Sequence, residues 1–190
     1  MAPGLLSLAV LARERASETQ SNSRRSPMAT VQKSIDVDVP ASVAYNQWTQ
    51  FEEFPRFMEG VESVRQLDDR RLHWRAKVGG KVEEWEAEIT EQIPDKRIAW
   101  KSTSGATNGG VVTFHRISDR QCRILLEIDY VPRTWDESLG ELLGFLGRRI
   151  QGDIQRFKEF IEERQQATGA WRGKIPSPDE RGRSAGAGKA

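Results

Sequence analysis

Apolar and polar residues alternate with a period of two along three consecutive segments, 72–78, 83–89 and 97–102. Successive side chains of a strand point to opposite faces of a sheet, so this pattern predicts three strands with one apolar and one polar face. Trp74, Trp85 and Trp100 all fall on the apolar face. A face so rich in indoles either fills a hydrophobic core or lines a cavity, and the two alternatives imply different functions.

The same alternation predicts four further strands. They span residues 31–39, 60–67, 111–117 and 123–131. In the first of them, Val31, Lys33 and Ile35 share one side of the strand. Turn residues such as Gly, Asp and Pro separate the consecutive strands after residue 60. Because parallel strands need a crossover of a dozen residues or more, these short connections predict an antiparallel meander.

Helical spacing replaces the alternation in two regions. Pro40 suits the first turn of a short helix over 40–48, and a second short helix or turn spans 51–54. From residue 136 to about residue 166, apolar residues recur every three or four positions, which predicts one long amphipathic helix. Its apolar stripe can cover the apolar face of the sheet.

The first half of this long helix is rich in glycine. The glycines are Gly140, Gly144, Gly147 and Gly152. Each interior glycine costs about 1 kcal/mol relative to alanine. Two explanations are open: the helix approaches another element closely, or this part of the helix is a segment that shifts. Charged residues among the glycines exclude a membrane span.

Composition divides the chain into three parts. Residues 1–29 are predicted to be a disordered or mis-annotated leader, with Met28 as the expected start of translation. Residues 30–166 carry the strands and helices and form one domain. Residues 167–190 are rich in Gly, Pro, Ser and Arg and are predicted to be a disordered tail.

The overall composition limits the kinds of partner that the protein is expected to bind. Hydrophobic residues at 37% and charged residues at 30% are typical of a soluble globular protein. The 29 basic and 28 acidic residues nearly cancel, so no global field attracts nucleic acid or an anionic membrane. The single cysteine excludes an intrachain disulfide and favours the cytoplasm, and with two histidines it cannot supply a conventional structural zinc site. We expect no cofactor and a monomer or weak homodimer.

A resemblance to a known family adds to this pattern. Residues 40–61 combine a Pro-Ala helix start, an aromatic residue at the helix end and the motif Phe-Glu-x-Phe-Pro-x-Phe at 51–57. This segment resembles the opening of START-like (SRPBCC/Bet v 1-like) polyketide cyclase/dehydrase and coenzyme-Q-binding domains, and residues 110–114 and 130–132 are similar to that family too. The resemblance implies an α+β helix-grip fold: a curved antiparallel sheet of about seven strands wrapped on a long C-terminal helix, with two short helices after the first strand.

The resemblance also implies a ligand. Families of this kind hold a polyketide, quinone or lipid between the long helix and the sheet, for binding, transport or processing, and some are aromatase/cyclases. The residues expected to line such a cavity are apolar or aromatic residues of the strands and helices: Trp48, Phe54, Phe57, Trp74, Trp85, Trp100, Val112, Phe114, Ile128, Tyr130, Leu142, Leu143 and Leu146.

Candidate catalytic groups are few. A cyclase needs groups that polarise ketones and move protons, and the apolar side of the strands offers only Tyr130, Arg116 and Glu91. His73 and His115 fall on the opposite side. The residues therefore favour binding of a hydrophobic small molecule. A polyketide cyclase/dehydrase with Tyr130 and Arg116 as polar partners, and a protein-interaction module without ligand, remain the alternatives.

Overall fold

The computed structural model describes residues 29–78, 81–105, 108–130 and 138–181. The leader and Met28 lie outside the described residues. The elements in chain order are β1 (Ala29–Val37), α1 (Ala41–Trp48), a 3-10 helix (Phe51–Arg56), β2 (Val61–Gln66), β3 (Arg71–Val78), β4 (Lys81–Ile93), β5 (Arg97–Ser102), β6 (Asn108–Arg116), β7 (Cys122–Tyr130) and α2 (Ser138–Arg164).

The strands form one antiparallel sheet in the order β1-β7-β6-β5-β4-β3-β2. β2 to β7 follow one another as a meander, and β1 joins the sheet beside β7. Tight turns make this possible: Asp68 Oδ1 accepts hydrogen bonds from the backbone N–H groups of Arg70 and Arg71, both at 2.8 Å. The predicted α+β helix-grip architecture is confirmed, with two short helices after β1 and a long helix after β7.

The C-terminal half of α2 packs on the inner face of the sheet. Ile150, Ile154, Phe157 and Ile161 recur at helical spacing, and all four are buried. Phe157 meets Trp48 of α1 with ring centroids 4.8 Å apart and Phe57 with centroids 5.1 Å apart. Edge-to-face aromatic pairs of this kind are worth about 0.5–1.5 kcal/mol each beyond the burial of their surface. None of the described helices is long and apolar enough to cross a membrane.

A bulge in β4 changes which polar residue faces inward. The register with β5 shifts between Ile89 and Glu91, so Gln92 rather than Glu91 takes the next inward position. Gln92 is buried, whereas Glu91 forms an ion pair with Arg97 at 2.7 Å. The expectation that Glu91 faces inward was therefore wrong, because strict alternation fails across the extra residue.

The segment after α2 folds back onto the domain instead of forming the disordered tail predicted from residue 167. Gln165 ends the helix with a positive φ of 56°. The backbone N–H of Thr168 then donates to Gln47 Oε1 at 2.9 Å, and that of Trp171 donates to Thr49 Oγ1 at 3.0 Å. Ile175 pairs with Gln92 in an antiparallel bridge. Residues 182–190 lie outside the described part of the chain.

The helix glycines do not mark a close approach of backbones. At Gly144 and Gly147, the nearest described atoms to an added Cβ belong to side chains, at 3.5 Å (Arg148) and 3.6 Å (Lys33). At Gly140 no described atom outside the helix lies within 4 Å, and at Gly152 the nearest is a guanidinium nitrogen of Arg156 at 3.2 Å. Close approach of another backbone therefore does not explain these glycines, but Gly147 is buried against the side chains of Lys33 and Val31 of β1 at ordinary contact distance.

The docked C-terminal segment gives a stability prediction. Ile175 is 6% exposed, so truncating it to alanine removes buried methyl groups and should lower the free energy of unfolding by about 2 kcal/mol. The neighbouring Lys174→Ala is the control, since Lys174 contributes only an exposed ion pair with Glu180. Urea unfolding measures both variants. An Ile175→Ala protein as stable as wild type would show that the segment is not attached.

Candidate functional site

The inner face of the sheet is closed at one end and partly open at the other. At the closed end Val37, Phe114 and Ile124 are buried in the core. At the other end the inward residues are only half-buried although they are large and apolar: Val31, Trp74, Trp85, Trp100 and Ile128. The open end is therefore the part of the inner face where apolar side chains are still partly exposed.

Trp74 and Trp85 form the first wall of this open end. They lie directly opposite each other in β3 and β4, and their rings are stacked, with centroids 5.8 Å apart and planes 6° apart. Trp74 also meets Phe54 edge-on at 5.7 Å. Its indole Nε1 is buried and has no hydrogen-bond partner among the described residues. An unpaired buried donor costs about 1–3 kcal/mol, and no described residue offsets that cost at Trp74.

Trp100 lies beside them against the backbone of β6. Its cross-strand partner is Gly110, where an added Cβ would lie 2.6 Å from Trp100 Cζ2. Glycine at this position thus gives the indole room to lie against the neighbouring strand. Gly110 pairs in turn with Ile128, and Ile128 with Val31, so an apolar row runs from Trp100 across the sheet to its β1 edge.

The other residues expected to line a cavity fall into three groups. Trp48, Phe54, Phe57, Val112 and Phe114 are buried in the packed core. Leu143 and Leu146 are half-buried on α2 above the open end. The side chains of Tyr130 and Leu142 lie outside the described part of the structure, which shows only that Tyr130 ends β7 and that Leu142 belongs to α2. The role of all of these residues in ligand binding stays a prediction.

A groove about 490 Å³ in volume opens between the β1 edge and the first half of α2. Val31 and Lys33 of β1 line one side, and Leu143, Gly147 and Arg148 of α2 line the other. Val31 belongs both to this groove and to the apolar row that leads to Trp100. The sequence did not predict this groove. Its only indication there was the run of glycines in the first half of the long helix.

The candidate catalytic groups lie away from the indoles. Arg116 is exposed at the end of β6, where it pairs with Asp119 of the following turn. His115 is also exposed, with Nε2 3.0 Å from Thr113 Oγ1 on the outer face. Neither Arg116 nor His115 therefore contacts the open end of the inner face as the structure stands.

A buried polar pair occupies the closed end. Gln92 Nε2 donates a hydrogen bond to the Tyr45 hydroxyl at 3.0 Å, and both residues are fully enclosed. Burial raises the pKa of Tyr45 above its ordinary value, since the phenolate would lose its hydration. Arg172 of the C-terminal segment covers the Tyr45 ring at 5.6 Å. Sequence reasoning missed this pair because the bulge in β4 hides the inward position of Gln92.

Polar contacts hold α2 over the start of β2. Asp153 accepts hydrogen bonds from the Glu59 backbone N–H at 2.8 Å and from Arg156 at 2.5 Å. Arg156 Nε also donates to the Phe57 carbonyl oxygen at 2.9 Å. Burial raises the pKa of Asp153 and outweighs the lowering by these hydrogen bonds. The contacts fix the middle of the helix relative to residues 57–60.

No group of three or more histidine, cysteine, aspartate or glutamate side chains that could hold a metal ion is found in the described ranges. Cys122 is buried at the closed end, and burial raises the pKa of its thiol to about 12. The thiolate is the nucleophilic form of cysteine, so Cys122 is not suited to covalent catalysis.

Comparison with known proteins places this geometry in a family. The sequence profile of the family described as polyketide cyclase / dehydrase and lipid transport matches residues 37–159. An uncharacterized 17.2 kDa protein encoded in the melC2-rnhH intergenic region of Streptomyces lincolnensis is 52% identical over 149 residues, which cover 78% of this chain and 99% of that protein.

Solved structures share the fold. A Deinococcus radiodurans protein is 27% identical, with a TM-score of 0.57 over 71% of this chain and 98% of that one. The Zhui aromatase/cyclase of a Streptomyces species is 16% identical, with a TM-score of 0.65 over 76% and 100%. A START superfamily protein of Mycobacterium smegmatis is 12% identical, with a TM-score of 0.63 over 70% and 97%. The profile match confirms the predicted polyketide cyclase/dehydrase family, and the solved structures confirm the predicted START-like fold.

The burial of Cys122 gives a reactivity prediction. With a pKa of about 12, only about one thiol in ten thousand is ionised at pH 8, so iodoacetamide should leave the folded protein unmodified. Unfolding in urea should restore rapid labelling, which mass spectrometry measures. Since the folded-state pKa is raised from 9.0, the associated stability is complete below about pH 9 and declines as the pH rises toward 12. Rapid labelling of the folded protein would contradict the burial.

Proposed function

The chain belongs to the polyketide cyclase / dehydrase and lipid transport family, and we propose that it binds a hydrophobic small molecule between its sheet and its long helix. The ligand class is a polyketide, quinone or lipid. The observation that carries the proposal is the half-buried state of Trp74, Trp85 and Trp100 on an inner face whose other end is fully packed. The single cysteine supports a cytoplasmic setting for this function.

The exposed surface of the indoles can supply binding energy without the help of charged or catalytic groups. Covering about 200 Å² of apolar surface contributes about 5 kcal/mol, before the costs of association are subtracted. The stacked Trp74 and Trp85 and the neighbouring Trp100 present flat aromatic faces, which suit a ring system or an extended chain. Both histidines of the chain lie on the polar outer side of their strands, and Cys122 lies at the closed end. These features support binding more than acid–base catalysis.

One observation favours a second candidate, a polyketide cyclase/dehydrase. The buried Trp74 N–H has no partner among the described residues, and a donor of this kind can polarise a ligand carbonyl. Tyr130 and Arg116 remain the proposed polar partners in that case. Arg116 would have to leave Asp119 and turn inward from its exposed position to reach a ligand.

Tryptophan fluorescence tests binding directly. A short-chain quinone or a polycyclic aromatic polyketide should quench the indole emission, and a fatty acid should shift it, because the ligand would cover the rings at the open end. Trp100→Phe should reduce the amplitude of quenching. Trp171→Phe is the matched control, since Trp171 lies in the C-terminal segment, where its Nε1 is 3.4 Å from Asp69 Oδ1. If no compound changes the emission and the purified protein carries no ligand, the proposed function is wrong.

Incubation with a poly-β-ketone substrate separates the two candidates. We expect the compound to bind and to be recovered unchanged, because the described open end brings no acid–base pair to the ligand. Product analysis by mass spectrometry measures the outcome. A cyclised product whose yield falls sharply in Tyr130→Phe, Arg116→Ala or Trp74→Phe would instead establish the enzyme.

A further inference from the structure

Lys33 is a cation on the apolar side of the edge strand β1. Its cross-strand partner in β7 is Leu126, and the row continues inward through Val112 and Ile98, all three of them buried. The Lys33 stem lies across α2, with Cε 3.6 Å from the position that a Cβ would occupy at Gly147. The ammonium group thus lies beside α2 at the β1 edge of the inner face, 3.9 Å from the same position.

A second cation faces the same groove from the helix. Arg148 lines the groove opposite β1, one residue after Gly147. Neither Lys33 nor Arg148 makes a side-chain hydrogen bond or ion pair with any other described residue. By contrast, the neighbouring Arg149 and Arg156 donate hydrogen bonds to the carbonyl oxygens of residues 57–60.

The acidic residues of β7 nearest to this groove form hydrogen bonds on the outer face of the sheet. Glu127 accepts a hydrogen bond from Gln32 at 3.2 Å, and Asp129 accepts one from Thr30 at 2.6 Å. Both pairs lie on the outer side of β1 and β7, with the opposite parity to Lys33. The groove therefore combines two cations with the apolar Val31 and Leu143, and has space for a group of opposite charge; its remaining side chains, Thr30, Gln32 and Gln151, are uncharged.

The glycines of α2 keep this space open. Gly144 and Gly147 both line the groove, and described side-chain atoms are the nearest neighbours of a Cβ at either position. Larger side chains at these positions would project into the groove that separates the helix from β1. Each glycine lowers the stability of the helix by about 1 kcal/mol relative to alanine.

We propose that this groove is the anion subsite of the ligand site, so that the ligand is a hydrophobic molecule with a carboxylate group. The carboxylate lies between Lys33 and Arg148, and the apolar part follows Val31 and Ile128 toward Trp100. Three inter-strand spacings of about 4.8 Å separate β1 from β5, a span suited to an extended acyl chain or to several fused rings. This inference rests on the proposed function and specifies its ligand class.

A matched pair of ligands tests the charge separately from the apolar contact. Dodecanoate and dodecanol have the same chain and differ in the head group, and their binding is measured by isothermal titration calorimetry at pH 8. We expect wild type to prefer dodecanoate by about tenfold or more, the effect of a charge-assisted hydrogen bond. Lys33→Met and Arg148→Met should each lower the affinity for dodecanoate and leave that for dodecanol unchanged, whereas Lys33→Arg should retain the preference.

Lys96→Met is the control, because Lys96 is exposed in the turn between β4 and β5. It should leave both affinities as in wild type. Equal binding of the two ligands by wild type, or an undiminished preference for dodecanoate in both methionine variants, would overturn the anion subsite while the binding function stands. Failure of dodecanol, dodecanoate and every other compound to bind wild type would instead overturn the proposed function and the subsite with it.

Discussion

Phe157 meets Trp48 and Phe57 in the centre of the core, and the position of the long helix depends on these contacts. They join three separate parts of the chain: α2, α1 and the end of the 3-10 helix. Because the apolar stripe of α2 is buried from Ile150 onward, this half of the helix is anchored to the closed end of the sheet. The glycine-bearing half is then carried beyond the anchored core toward the open end. Packing at the closed end thus sets the position of the helix over the proposed ligand site at the open end.

Polar contacts also hold the anchored half of the long helix in position. Asp153 and Arg156 tie the helix to residues 57–60 on one side, and Lys158 donates to the Asp36 carbonyl oxygen on the other at 2.7 Å. The C-terminal segment returns over α1 and covers the Tyr45–Gln92 pair. These contacts cluster on the anchored half of the molecule. The packed core and the proposed ligand site therefore lie at different ends of one domain, so that half-buried indoles at one end do not weaken the core at the other.

The sheet and the helices could be predicted because their signals are periodic. Alternation around Trp74, Trp85 and Trp100 located three strands and their inward side, and helical spacing located α2. Local signals failed where the structure depends on partners distant in sequence. Gln92 faces inward because of a bulge, and the segment around Ile175 is ordered because buried polar groups of α1 and β4 accept it. The groove at Lys33 also needs two distant elements, so only the structure brings its cations together.

The pairing of β1 with β7 has a consequence for synthesis of the protein. Asp36 and Arg123, which face each other across this pair, are 87 residues apart in the chain. At a translation rate of about 5–20 residues per second, the first strand waits roughly 4–17 seconds on the ribosome for its neighbour. During that time its apolar side and its backbone hydrogen-bonding groups have no native partner in the sheet. The domain must therefore complete its folding late, and the emerging first strand is the segment that a chaperone would need to protect.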